Sequence, residues 1–437
     1  MPTTNTFMLM ALIYCTILFC LFIIVDSTFC QSIDSLTANK LNTINKEIDS
    51  LKNVIDSLNN KVNRINSKHT EADPVDSLLI TLETKIDTSL IPEDQRSRRK
   101  QLDALLNYIS SRPGQLFFNG QANAIIQGNL QKEDKFSTAN GSVNLFATTS
   151  FENNIILFVD LEAIGGNGPD DFAETISSLN GDAGSTQSRD GFDRIVVNEA
   201  WTEFLFLDNI FTVTVGKIDL TNYFDNNAIA NDENSQFISG AFINNTAFAV
   251  PANSPGLRIR TTILERFYIQ FSMSKAENEG NNIFSDIYKI GGFGFKLFSF
   301  SDYEAEFHLY GYTHPFANNR YGFGISMSQT IAARFTVFGR FGNNENTLAE
   351  WFSIKNSWSF GSQFKENIFS EPSVIGIAFN STKPFDAQQL NEKLTELYIK
   401  QQINNWISIS AHFQHIWDTG GINNKYSLLG LRVNFAF

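Results

Sequence analysis

Glu199, Trp201 and Glu203 stand two apart within 194–207, so on an extended chain their side chains leave the same face. An indole covers the apolar face of a pyranose and carboxylates accept its hydroxyl protons, so the trio has the makings of a sugar site. The same residues would also serve as plain hydrophilic lining of a wet wall. Opposite charge comes at same-face spacing from Arg258 with Arg260 and from Arg334 with Arg340, and singly from Arg432. Guanidinium forks opposite carboxylates across a pore would order water and set a transverse field without strong ion preference. Salt bridging within the wall is the other use for such residues. The segment 221–255 adds Asp225, Asp232 and Glu233 among Tyr223, Phe224, Phe237 and Phe242. That is too apolar for a loop in solvent, and it is expected to fold inward as a constriction.

Such residues need a wall that is wet on one side and apolar on the other. In 427–437, Leu429, Leu431, Val433, Phe435 and Phe437 share one face, while Gly430, Arg432, Asn434 and Ala436 share the other. In 320–330, Tyr321, Phe323, Ile325 and Met327 alternate with Gly322, Gly324, Ser326 and Ser328; in 267–275, Phe267, Ile269, Phe271 and Met273 alternate with Tyr268, Gln270, Ser272 and Ser274. In 194–207 the outward set reads as Val196, Ala200, Phe204 and Phe206. Sixteen alternating runs fit between 115 and 437, an even number, as closure of a bacterial barrel requires. Their connections alternate between near-minimal turns, such as Glu152-Asn153, Asp208-Asn209, Glu265-Arg266 and Asn404-Asn405, and long ones, 165–193 and 221–255. Short periplasmic turns and long external loops have that rhythm. The glycines of 291–294 precede no helix pattern, so they read as strand glycines rather than a phosphate loop.

Composition agrees. The chain has 41 Phe in 437 residues but only 18% charged residues, as suits an outer apolar band with aromatic girdles around a polar interior. Its 33 basic and 46 acidic residues, net −13, argue against nucleic acid, and mildly against an anion pore. His69, His308, His314, His412 and His415 are scattered, with His412 and His415 on opposite faces of a strand. Neither zinc spacing nor a nucleophile elbow occurs, so no enzyme and no cofactor are expected.

Residues 1–30 read as a signal peptide, with the apolar run Phe7 to Val25 and a cleavage site at Ser27 or Cys30. No Lys or Arg precedes the run, and its length also fits a retained inner-membrane anchor. A lipoprotein site at Cys30 would put bulky Phe29 where a small residue is expected. Cys15, Cys20 and Cys30 all fall in this segment, so cleavage leaves a thiol-free chain suited to an oxidising periplasm. Residues 31–70 read as a periplasmic coiled coil: Leu41, Ile48, Ile55 and Val62 are a positions and Ile44, Leu51, Leu58 and Ile65 d positions, a helix of ~37 Å. Dimer and trimer both remain open, as does one amphipathic helix lying on the barrel. Residues 71–114 are a linker with a short helix near 101–111, and Arg96, Arg98, Arg99 and Lys100 read as a solvated run.

Residues 197–245, where a glycine-lysine-x-aspartate strand end (Gly216, Lys217, Asp219) runs into a Phe-Asp and Asn-rich loop, resemble the carbohydrate-selective porins of bacterial outer membranes. Residues 396–437 are similar to that family's last three strands. The resemblance implies a sixteen-stranded outer-membrane barrel passing glucose and related sugars by facilitated diffusion, with Glu199, Asp219, Asp225, Asp232, Glu233 and Gln236 around its constriction. The coil departs from the core family and resembles the periplasmic spacers with which some large porins reach the cell wall.

The expectation is therefore an all-β transmembrane protein: a sixteen-stranded antiparallel outer-membrane β-barrel at 115–437, preceded by a signal segment and an α-helical coiled coil. It would be a porin for small neutral solutes, mono- and oligosaccharides above all. Outer-membrane lipid and sugars would be its partners, with self-association or peptidoglycan contact through the coil. A general or anion-preferring porin, or a barrel tethering the membrane to the cell wall, are the alternatives.

Overall fold

The computed structural model describes residues 114–437 apart from 132–134, 152–153, 187–193, 208, 264–265, 278–281, 283, 298–303, 333 and 369–370. The leader and coil expected at 1–70, and the linker up to 113, lie outside the described residues. Period-two alternation with turn-forming breaks yields sixteen strands: β1 (Leu116–Asn129), β2 (Ser137–Phe151), β3 (Ile155–Gly166), β4 (Arg194–Phe206), β5 (Phe211–Ile218), β6 (Ser254–Ile263), β7 (Phe267–Lys275), β8 (Ile287–Leu297), β9 (Ala305–His314), β10 (Arg320–Ala332), β11 (Phe335–Asn344), β12 (Ile354–Ile368), β13 (Glu371–Pro384), β14 (Glu392–Asn404), β15 (Ile407–Trp417) and β16 (Lys425–Ala436). Each strand pairs with its sequence neighbours, and β1 pairs antiparallel with β16, closing the barrel. The last two closing bonds join Gly120 and Phe437, N–H to carbonyl in both directions, at 2.8 and 2.9 Å. Closure gives every strand two partners, so none presents an unpaired edge to hydrocarbon.

Burial is inverted relative to a water-soluble fold. On β7 the polar Gln270, Ser272 and Ser274 are buried, whereas Ile269 is 50% exposed and Phe271 and Met273 are exposed too. β10 repeats this, with Tyr321 and Met327 outside and Ser326 and Ser328 inside. On β16, Leu429, Leu431 and Phe435 face out while Arg432 and Asn434 are enclosed. The outer surface is thus a hydrocarbon-compatible band. Leu431→Arg, mid-strand on this band, is expected to lower stability by about 2–4 kcal/mol in urea unfolding from phospholipid vesicles; an unchanged midpoint would mean that this face does not meet acyl chains.

Three details differ from the pattern read in the sequence. The β3–β4 register slips between Asp160 and Leu161, because Asp160 faces Glu199 but Leu161 faces Val197. This bulge at Asn198 reverses the alternation, so upstream of it Ile195 and Val197 are the exposed residues and Val196 takes the other face. The β12–β13 ribbon also extends past residue 364, to Ile368 paired with Glu371. Arg334 precedes β11 at the short-turn end, where it is exposed and paired with Glu366; it does not share the lumen with Arg340. Both arginines have the same parity, but parity says nothing of depth along the barrel axis. The glycines of 291–294 lie within β8 as strand glycines.

Candidate functional site in the lumen

A sixteen-stranded barrel is wide enough to leave an aqueous channel, and here the connection between β5 and β6, residues 219–253, occupies that space. Its Phe224, Phe237, Phe242 and Asp225 are fully buried. Aromatic packing places it: Phe237 meets Tyr398 of β14 edge-on, ring centroids 4.9 Å apart, and also contacts Phe242 and Phe338 of β11. Phe248 lies 4.6 Å from Tyr310 and 5.2 Å from Tyr312 of β9. The tyrosines can lie against the wall because the next strand offers glycine: a Cβ at Gly324 would collide with the Tyr310 ring.

Three of the expected arginines hold this loop. Arg340 donates to the Phe242 carbonyl at 2.7 Å and the Asp225 carbonyl at 2.9 Å, and pairs with the Asp225 carboxylate at 3.2 Å. That carboxylate also accepts from the Asn245 N–H at 2.6 Å and the Tyr310 hydroxyl at 2.9 Å. Burial pushes the Asp225 carboxyl upward, and Arg340 and these donors oppose the shift. Arg432 donates to the carbonyls of Glu233 at 2.6 Å and Gln236 at 2.9 Å. Arg258 stacks its guanidinium over Tyr223 at 4.0 Å while donating to Gln270 and pairing with Glu203 at 3.4 Å. Arg260 lies over the Tyr268 ring at 4.3 Å.

The carboxylates expected at the constriction are drawn into the same scaffold. Asp219 accepts from the Thr221 N–H and hydroxyl at 2.9 and 2.7 Å, and Asp232 from the Asn234 N–H and Ser235 hydroxyl at 2.9 and 2.6 Å, each shaping a turn. Gln236 accepts from the Asn231 N–H at 2.7 Å. Glu199, Trp201 and Glu203 do share the inner face of β4, but the loop covers them. Trp201 donates to Glu199 at 3.1 Å and stacks on Phe158 of β3 at 4.9 Å. Asn222 of the loop donates to Glu199, and Thr214 of β5 to Glu203. Trp201 also belongs to an apolar cluster with Leu220, Tyr223 and Phe224. Trp201→Ala is therefore expected to cost about 3–5 kcal/mol of stability in urea unfolding; an indole that merely lined open water would change flux and leave the midpoint in place.

A second inward segment was not foreseen. Residues 167–183, between β3 and β4, sit in the mouth above the first loop, with the Gly181 N–H donating to the Ile238 carbonyl at 2.8 Å and Ser239 Oγ to the Ser178 carbonyl at 2.5 Å. Glu392 of β14 accepts from the N–H groups of Ile176, Ser177 and Gly420. Glu396, four residues further along β14 on the same face, accepts from the N–H groups of Ile238 and Ser239 and contacts His412 of β15 at 2.8 Å. Asp182 accepts from Asn140 and from Ser142 of β2, and burial raises its pKa. The apolar content of 167–183 is a weaker signal than that of the first loop, since Leu179 is fully buried but Phe172 stays exposed. Among the described residues no group of three or more His, Cys, Asp or Glu is arranged to hold a metal.

Comparison with solved structures places the fold among porins. The high-pH structure of Pseudomonas putida OprB aligns with 79% of this chain and all of that one, at 15% identity and a TM-score of 0.62. The low-pH structure of the same protein aligns with 78% of this chain and 99% of that one, at 14% identity and a TM-score of 0.51. A curated, uncharacterised protein of Aquifex aeolicus (strain VF5) is 30% identical over 226 residues, 52% of this chain. The chain spans 64% of the length of that relative. No family model matches.

Proposed function

We propose that this chain is a porin of the bacterial outer membrane, a passive channel rather than an enzyme, which lets small polar solutes, mono- and oligosaccharides foremost, diffuse down their gradient. The observation that carries the reading is the loop 219–253, fastened inside a closed sixteen-stranded barrel by inward arginines of three separate strands, Arg258, Arg340 and Arg432. A loop spanning a lumen and held at several points fixes a constriction, so selection rests on width and on polar groups rather than on a chemical step. The inner wall is rich in hydroxyls, amides and paired charges, which exchange hydrogen bonds with polyols and give ions no single-sign path. The resemblance of residues 197–245 to carbohydrate-selective porins supports the solute class. Short turns would face the periplasm and long loops the exterior.

Liposome swelling tests this. Purified, heat-modifiable protein should admit glucose saturably and faster than a disaccharide, an uncharged amino acid or phosphate. Rates ordered by solute size alone would reduce the reading to a general porin, and absence of swelling by the folded barrel would overturn it.

A further inference from the structure

On the outside of the barrel, at its long-loop end, Lys217, Lys289, Lys383, Lys393 and Lys425 stand on β5, β8, β13, β14 and β16, exposed or half-exposed and on the face away from the lumen. No acidic residue is so placed at that end among the described strand residues, although the chain carries net −13. Lys383, Lys393 and Lys425 gather on the adjacent strands β13–β16. Register sets them in order there: Ser381 faces Lys393, Lys393 faces Trp417 and Trp417 faces Lys425. Lys383 stands two residues beyond Ser381, on the same face.

The rows below this one change character in step. Two residues toward the midplane, about 6.8 Å along the strands, Thr395 faces His415 and His415 faces Ser427, with His415 Nδ1 2.6 Å from the Ser427 hydroxyl. Two residues further, Leu397, Phe413 and Leu429 share a row and are exposed. The patch thus passes from cation through hydroxyl and imidazole to hydrocarbon, the order in which a lipid presents phosphate, sugar and acyl chain. Within the top row the order is cation, indole, cation. Neighbouring strands lie ~4.8 Å apart, so Lys393 and Lys425 leave the sheet about 10 Å apart with Trp417 between them. Trp417 is 36% exposed and is braced edge-on by His415, ring centroids 4.2 Å apart. Asp418 holds Lys393 at 2.9 Å and leaves that side chain 44% exposed, while Lys383 and Lys425 form no ion pair among the described residues.

We propose that this outer face of β13–β16 docks a lipid whose headgroup is a sugar flanked by phosphates, of the lipid A kind. The sugar lies over Trp417, the phosphates on Lys393 and Lys425 with Lys383 beside them, and the acyl chains along Leu397, Phe413 and Leu429. An indole face suits a pyranose, and lysines at a membrane surface attract anionic headgroups. The apolar row continues the hydrocarbon-compatible band. The proposal rests on the outer-membrane reading, with the long loops outward.

The probe is lipid A, set against phosphatidylglycerol and phosphatidylethanolamine, added to the full chain in detergent and counted by native mass spectrometry. Lipid A should be retained saturably and in preference to either phospholipid, and less so as salt rises. Lys393→Gln with Lys425→Gln should weaken it roughly thirtyfold, each lysine near a headgroup contributing about a factor of five. Trp417→Leu should weaken lipid A and leave phosphatidylglycerol unchanged. Lys217→Gln with Lys289→Gln removes the same charge from the same end of the barrel, elsewhere on the wall, and should leave lipid A bound as in the parent. Each variant is first shown to keep its heat-modifiable mobility. Equal retention of phosphatidylglycerol, no loss in the Lys393→Gln and Lys425→Gln chain, or equal losses in the two double variants would overturn the site, the last by reducing it to diffuse charge. Planar-bilayer conductance separates this from the porin reading. A parent that conducts without retaining lipid A sinks the site alone, and one that retains lipid A but conducts no solute sinks the channel and leaves the site standing.

Discussion

Arg340→Met is expected to raise single-channel conductance several-fold and to cost about 3–5 kcal/mol of stability, because it leaves the fully buried Asp225 carboxylate without its cation. Arg340 closes the loop at both ends of its inward path, through the Asp225 and Phe242 carbonyls, and pairs with the Asp225 side chain. Its removal takes a donor from four acceptors at once, the Phe242 and Asp225 carbonyls, the Asp225 carboxylate and Asn231 Oδ1. Arg432 and Glu396 still hold the segment 233–239, Arg258 and Gln270 still hold Tyr223, and Tyr310 and Ser326 still hold Asp225 and Asn226, so the stretch around 242 is the one that should loosen from β11. Adding Asp225→Asn in the same chain should recover much of the stability, since the residual amide is neutral, its oxygen can accept from the Asn245 N–H, and its NH2 can donate to the Tyr310 hydroxyl oxygen. Conductance should stay raised, because the guanidinium remains absent. Planar-bilayer recordings and urea unfolding decide the matter together: an Arg340→Met channel of parental conductance and parental midpoint would show that the ion pair does not hold the constriction.

Excising residues 221–250 and bridging the gap with a few Gly and Ser should have a larger effect, raising conductance by roughly tenfold and abolishing discrimination between mono- and trisaccharides, since pore width sets both. The wall should survive. Its sixteen strands and its closure between β1 and β16 involve none of the excised residues. The variant should nonetheless unfold earlier than the parent, having lost Phe224, Phe237 and Phe242 from the two interior clusters. Measured with sugars of graded size in proteoliposomes, an unchanged exclusion limit would place the constriction elsewhere, the segment 167–183 being the next candidate.

The wall was legible because its rule is local: residues two apart share a face, and a β10 that reads Tyr321, Phe323, Ile325 and Met327 on one side needs no distant information. The interior was only partly legible. Apolar excess in 221–255 predicted that the loop turns inward, but not that Arg340 and Arg432 would spend their donors on its carbonyls rather than on carboxylates across a pore. Those contacts join residues about a hundred to two hundred positions apart, and nothing in the spacing of either partner announces them. For the same reason Glu199, Trp201 and Glu203 were correctly assigned to one face yet not to the shelter of Asn222 and Tyr223. Glu392 and Glu396 went unread, although their four-residue spacing on β14 put both on the inner face, because their partners are backbone N–H groups that no side-chain pattern reveals. The bulge at Asn198 shows the limit of alternation itself, since one extra residue moves Val196 across the wall.

The seam between β1 and β16 carries a consequence for assembly. Gln121 and Ala436 are register partners, so the bond that completes the wall joins almost the two extremes of the described chain. Every other hairpin can form as soon as its two members exist, whereas this one is governed by the slowest kind of encounter, between segments separated by the greatest contour length. Until it forms, both outermost strands remain adhesive ribbons, and the Phe-rich exterior has no lipid to cover it if the chain waits in water. An open sheet of this kind would add neighbouring molecules as readily as its own other end. Safe delivery therefore demands that the chain be kept from pairing until it reaches a bilayer, where insertion and seam formation can proceed together.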